Sequence, residues 1–271
     1  MPISENYKYC ISAARILLGI YLIVFVVLQW LDREVLFLRF FLNNSDFEIN
    51  FLFSVLLMLS ILFTLGIYRK IASVLILIFI ILILQKNLFL YEIHFGYIGW
   101  MLVFFALAPI SEPLTISNPT SSDWKMPSVF FHACLFCLGA SYTASGLAKH
   151  SFSGWNSGEA VKFYFHSGAC KPYIRQISEN FSQVHFVFIA YFVGLLELVA
   201  LPAILIKKTR PYIWLILTAG QVQMLFTSNI FNISTILIIL HILCFDPSWL
   251  RTVTNDFFLT KKTKDPPVKK C

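Results

Sequence analysis

The 271-residue chain is 58% apolar and 17% aromatic, and only 13% of it is charged, roughly half the usual globular share. Uncharged stretches such as Asn50–Tyr68 and Tyr212–Phe245, with a mean hydropathy of +0.75, exclude an ordinary soluble domain and predict an all-α, polytopic membrane bundle. The formal charge of +7 is a topology signal and calls for no nucleic-acid partner.

Eight spans are expected, over residues 11–31, 49–67, 71–90, 95–110, 128–148, 184–206, 211–227 and 229–245. The first is uncleaved: its apolar run from Ile16 to Trp30 is long, and no small-residue cleavage site precedes Asp32 and Arg33. Gly66 with Tyr68-Arg69-Lys70 makes a tight turn, and Pro109 and Pro113 close the fourth span. A second tight turn falls at Lys207–Pro211, and Thr227-Ser228-Asn229 divides the longest apolar run into two helices. Pro202 is expected to kink the sixth span. Residues 1–250 read as one transmembrane domain, and 251–271 as a basic, disordered tail in contact with anionic lipid.

An even number of spans puts both termini on one side, together with the loops around 68–70, 111–127 and 207–210. That side carries 14 of the 21 Lys and Arg residues, among them Arg15, Arg69 and the five tail lysines, and is therefore cytoplasmic. Its acids include Glu112. The loop with Glu92 and His94, and the one with Lys149, His150, Trp155 and Gly158, then share the outer face. The sequons at Asn43 and Asn180 also lie outside; they matter only in a cell that glycosylates.

The stretch Cys137–Tyr164 carries the candidate chemistry. Tyr142, Gly146 and Lys149 are spaced i, i+4, i+7 on one helix face. Ala140, Ala144 and Ala148, with Ser141 and Ser145, add small-x-x-x-small spacing that lets membrane helices approach closely. Lys149 reads either as an amine anchoring a helix end at the interface or as a partly desolvated base. His94 lies among aromatics before the fourth span, and reads as a hydrogen-bonding structural histidine or as a proton-handling partner. Glu197 is the one acid inside an expected span, where a carboxylate faces either a functional partner or a buried hydrogen bond. Gln221 and Gln223 are polar enough to face the bundle interior.

Six cysteines give no disulfide framework. Cys134 and Cys137 form a CxxC, but Cys137 is about 18 Å down the helix from Lys149, which favours packing over redox chemistry. The chain shows no phosphate loop, metal-spaced His/Cys cluster or GxSxG.

At these residues the chain resembles the vitamin K-dependent γ-glutamyl carboxylases and the wider superfamily of bacterial HTTM (horizontally transferred transmembrane) proteins. The likeness rests on Tyr142-x3-Gly146-x2-Lys149 followed by Trp155-x2-Gly158, on Ile93-His94-Phe95-Gly96-Tyr97, on Gly194-Leu195-Leu196-Glu197, and on Phe226 to Leu250. The resemblance implies a lysine base, matched by Lys149 and assisted by His94. It also implies a lipid-soluble cofactor, vitamin K hydroquinone or another reduced quinone acting with O2 and CO2, to which Tyr142, Gly146, Trp155, Gly158 and Glu197 would contribute. The Lys149–Trp155 segment is one residue longer than in the carboxylases, and no folded domain is expected after Trp249. In size the chain is more similar to short relatives that help mature a secreted sporulation-delaying toxin peptide.

Two functions follow. One is a multi-pass enzyme of the plasma or inner membrane, with an extracytoplasmic active face, that modifies a peptide by carboxylase-like chemistry. The other is a non-catalytic accessory component in maturation or export of a secreted peptide. A transporter is disfavoured by the single intramembrane acid and the lack of visible repeats.

Overall fold

The described parts of the eight apolar segments are largely helical. The computed structural model describes residues 6–32, 46–86, 94–110, 112–116, 124–229 and 231–258. Its helices are α1 (Tyr7–Leu31), α2 (Asp46–Leu65), α3 (Arg69–Lys86), α4 (His94–Leu107), α5 (Ser128–Ser151), α6 (Ser153–Asn156), α7 (Glu159–His166), α8 (Pro172–Ser178), α9 (Gln183–Leu198), α10 (Ala200–Leu205), α11 (Arg210–Thr227), α12 (Phe231–Leu243) and α13 (Ser248–Phe258). No strand occurs among the described residues, so the chain is all-α and compatible with a multi-pass membrane protein.

Length and composition do not by themselves mark out all eight expected spans. Among the described residues three helices are long and apolar enough to cross a membrane: α1, Phe47–Leu65 of α2, and α5. The number is five if α8 with α9, and α12 with α13, each form one broken span. The physical reasons are local. Arg69, Lys70 and Lys86 all belong to α3, so its uncharged run is short. The 14 residues of α4 fall below the ~20 needed to cross the hydrocarbon. The bend between α8 and α9 is 119°. The sequon at Asn43, the loop residue Glu92 and residues 259–271 lie outside the described residues; α13 continues through 251–258, the first part of the expected tail.

The chain divides into a first unit, Lys8–His132 with Ile230–Cys244, and a second, Met1–Tyr7, Ala133–Asn229 and Phe245–Cys271.

In the first unit α3 packs against both α2 and α4, and α12 against α4. Three buried charges tie one end together. Glu112 pairs electrostatically with Arg15, whose Nε lies 3.2 Å from Oε1, and accepts a hydrogen bond on Oε2 from Arg69 Nη1 at 2.7 Å. Other guanidinium nitrogens donate to backbone carbonyls, most of them at helix ends. Arg15 donates to Phe63 O (3.0 Å), Thr64 O and Leu114 O (2.6 Å), and Arg69 donates to Ala108 O (2.5 Å) and Pro109 O (3.0 Å). Phe63 and Thr64 close α2, and Ala108 and Pro109 follow α4, so each arginine covers carbonyls that have no intrahelical donor. The turn at Gly66 is left-handed (φ +73°), and a Cβ there would stand 2.7 Å from the Thr115 methyl and 3.2 Å from the Arg15 guanidinium carbon.

In the second unit the expected kink near Pro202 is a break. α9 ends at Leu198, and α10 restarts at Ala200. Proline offers no N–H to the carbonyl four residues back, that of Leu198. Thr143 of α5 fills the gap: its hydroxyl donates to Leu198 O at 3.1 Å and Glu197 O at 3.3 Å, and accepts from Leu201 N at 3.0 Å. One side chain thus satisfies both sides of the interruption. Thr143→Val should lower stability by about 1–3 kcal/mol, with Thr143→Ser close to wild type, as measured by thermal unfolding in detergent. Equal melting of the two variants would show that the hydroxyl is idle.

Candidate active site

The site forms where α5 ends against α9. Lys149, in the last turn of α5, donates from Nζ to Glu197 Oε1. The same nitrogen lies 4.9 Å from the centroid of the Trp155 ring. The two charged side chains are only 23% and 13% exposed. A lone charge would be costly in such a place, and the acid and aromatic face compensate it from two directions.

The turn after Lys149 has a physical reason for each of its landmarks. Phe152 N bonds back to Lys149 O at 3.1 Å, and Asn156 Nδ2 donates to His150 O at 2.8 Å, closing carbonyls at the end of α5. The short helix α6 then turns Trp155 onto α9, where Nε1 donates to Ala190 O at 2.8 Å. The ring packs on a cluster of Val161, Phe186 and Ala190. Three residues on, Gly158 takes a left-handed conformation (φ +78°) as it enters α7, and a Cβ there would stand 2.7 Å from Val187 N. The Trp155-x2-Gly158 spacing therefore places two docking points on one helix.

α5 and α9 approach closely because of Gly146. A Cβ at Gly146 would lie 2.6 Å from Leu198 N and 3.0 Å from Gly194 O. One at Gly139 would lie 3.0 Å from Leu201 Cα. The intimate face is thus Gly139, Thr143 and Gly146. This corrects the expected alanine and serine row: Ala144 and Ala148 are exposed. Ala140, Ser141 and Ser145 are half-buried.

Of the residues expected at the site, Lys149, Glu197, Trp155, Gly146 and Gly158 converge on the contact of α5 and α6 with α9. Tyr142 is buried on α5, 6% exposed, in the same unit, while its neighbour Thr143 makes the bonds to the α9–α10 break. His94 belongs to the other unit. It is 1% exposed and caged by rings: Phe95 stacked at 4.4 Å, and Phe25 and Tyr21 edge-on at 6.1 and 6.2 Å.

Sequence reasoning missed Thr143, His150 and Asn156 as members of the site. Thr143 carried a signal, a hydroxyl four residues after Gly139 and three before Gly146. His150 and Asn156 became visible only once α6 had folded back. Gly194 faces both His150 and Trp155; a Cβ there would lie 3.2 Å from His150 Nε2 and 3.4 Å from Trp155 Nε1. Three buried polar atoms here, His150 Nε2, Asn156 Oδ1 and Glu197 Oε2, have no hydrogen-bond partner.

Cys134 and Cys137 are thiols, the first buried and the second half-buried. In the loop between α7 and α8, Cys170 is buried and donates weakly to Thr227 O at 3.4 Å. Burial pushes this thiol above its ordinary value, partly offset by the Lys171 backbone N–H and the Arg175 charge. That argues against a nucleophilic role. Among the described residues no group of three His, Cys, Asp or Glu could hold a metal. No family model, curated protein or solved structure matches the chain.

Proposed function

We propose that the chain is a membrane enzyme with eight spans and cytoplasmic termini, in which Lys149 acts as a base for carboxylase-like modification of a peptide. The observation that carries this reading is the Lys149–Glu197 pair under the Trp155 ring. An amine can serve as a base only after giving up its proton, and a carboxylate in direct contact is the simplest acceptor. In that step an Nζ–H bond of Lys149 breaks and an O–H bond forms on Glu197 Oε1.

A reduced lipid quinone fits the residues present. It needs hydrogen-bond acceptors for its hydroxyls, and Glu197 Oε2 and His150 Nε2, which have no partner, are acceptors. When bound, such a group supplies the oxygen-dependent chemistry that drives proton removal from a peptide glutamate and addition of CO2. The chain's own residues hold the amine, shield it from water through Trp155, and fix the α5–α9 separation through Gly146. The clustering of Arg15, Arg69 and Glu112 in one unit agrees with a topology that puts these three on the same side.

The accessory reading in toxin-peptide maturation has one observation in its favour. Lys149 already has a carboxylate and a ring as partners, as a packing pair would. Oxidation of a reduced naphthoquinone by the protein in nanodiscs separates the two. Lys149→Ala and Lys149→Arg should each lose at least about 100-fold in rate, because a guanidinium cannot serve as a base at neutral pH. Full activity in the arginine variant excludes the base and leaves the accessory reading.

A further inference from the structure

α5 presents three residues to the last turn of α9 at a spacing of three: Thr143, Gly146 and Lys149. Gly146 sets the separation, and Lys149 Nζ meets Glu197 Oε1. Thr143 does something different, because its hydroxyl stands inside the backbone ladder of the neighbouring helix. In an uninterrupted helix Leu201 N would bond Glu197 O, four residues back. Here Leu201 N donates instead to Thr143 Oγ1 at 3.0 Å. Thr143 in turn shares its single proton between Leu198 O at 3.1 Å and Glu197 O at 3.3 Å. Pro202 accounts for the next rung, from residue 202 to Leu198 O; the rung between Leu201 and Glu197 is occupied by Thr143, and a side chain inserted in this way interrupts a helix. The interruption thus falls at Glu197 itself. The earlier part of α9 is docked separately, through Trp155 Nε1 on Ala190 O at 2.8 Å and the close passage of Gly158 by Val187.

We infer that Thr143 is a positioning residue for the Lys149–Glu197 pair: its hydroxyl is a wedge that holds α9 in the broken form, ending at Leu198, in which the Glu197 carboxylate rests on Lys149. With the wedge withdrawn, Leu201 N is free to return to Glu197 O, the last turn of α9 rewinds into α10, and the carboxylate turns away from the amine. Wedge and amine lie six residues apart on α5, so one helix grips the acid both at its backbone and at its side chain. The value of the wedge to catalysis rests on the base reading of Lys149, whereas the wedge itself is a matter of contact.

That contact can be read without turnover. Dicyclohexylcarbodiimide enters lipid and joins a carboxylate to an amine where the two touch, leaving no spacer, and peptide mass spectrometry identifies the linked α5 and α9 peptides. With the full chain in nanodiscs, the wild type should give a Lys149–Glu197 link and Thr143→Ser should keep it. Thr143→Val should lower its yield about tenfold or more, since small misplacements of reacting groups carry penalties of that order. Thr143→Ala gives the same comparison where valine prevents folding. Thr218→Val is the control: that hydroxyl bonds within its own helix, to Trp214 O at 2.7 Å, and the link should persist. Thr143→Val combined with Pro202→Ala separates positioning from backbone repair. It gives Glu197 O and Leu198 O donors within one continuous helix, so melting should return toward wild type while the link stays lost. Recovery of the link in this double variant would make Thr143 a backbone partner and nothing more. A link that survives in Thr143→Val, or is absent from the wild type, likewise overturns the positioning role. A Thr143-dependent link in a protein whose Lys149→Arg variant oxidises quinone at the full rate would sink the base reading and leave the wedge standing.

Discussion

Glu112→Gln is expected to destabilise the protein by about 3–5 kcal/mol, as measured by unfolding in detergent at fixed pH and salt. The substitution preserves shape and removes the negative charge shared by two buried guanidiniums. Arg15 and Arg69 would then face each other across a neutral amide, with side chains 0% and 2% exposed. Their hydrogen bonds to the ends of α2 and α4 would hold both in place, so neither could swing out to water without breaking several of them. The cost therefore has no easy relief. Lys70→Gln is the matching control: Lys70 is exposed in the same turn, and its loss should change stability by less than about 0.5 kcal/mol. Equal stability of the two variants would mean that Glu112 is reached by solvent and the cluster holds nothing together.

This cluster also shows where the sequence ran out. Arg15, Arg69 and Glu112 are separated by tens of residues, and each was readable as one charge in a topology count. Nothing in their spacing told that they meet. The helices themselves were legible because uncharged runs leave no alternative for a backbone that must satisfy its own hydrogen bonds. Their crossing capacity was less so, since Arg69, Lys70 and Lys86 fold into α3 and do not flank it. At the site, Lys149 and Glu197 were each conspicuous as ionisable groups in apolar surroundings, yet their contact spans 48 residues and no local pattern announces it. Trp155-x2-Gly158 was visible as a motif, while its reason, two docking points on α9, needed the fold. Small-x-x-x-small spacing fits several registers of α5, and the alanine register was chosen where the glycine and threonine register makes the contact. Hydrophobicity cannot rank those registers; only the partner helix does.

Gly146→Val should have the largest effect on the site itself. The first carbon of any side chain at this position would meet the Leu198 backbone nitrogen at 2.6 Å and Glu197 C at 3.0 Å. Both are main-chain atoms of a helix, so the strain cannot be relieved by a rotamer change and α9 has to move away from α5. Overpacking of this kind costs about 1–3 kcal/mol or more. The movement carries Glu197 off Lys149 and the Leu198 carbonyl off Thr143, so the variant should combine a lower melting temperature with altered labelling of Lys149 by trace acetic anhydride, read by peptide mass spectrometry. Ala144→Val places the same side chain two positions earlier on an exposed part of α5, and should leave both readouts near wild type. If the alanine variant is the more damaging of the two, the α5–α9 contact runs through the alanine row after all. If Gly146→Val melts early but keeps wild-type labelling, the Lys149–Glu197 pair does not depend on how closely the two helices approach. The expected result, loss of both together, would mean that the separation set by a residue with no side chain decides whether the lysine meets its acid.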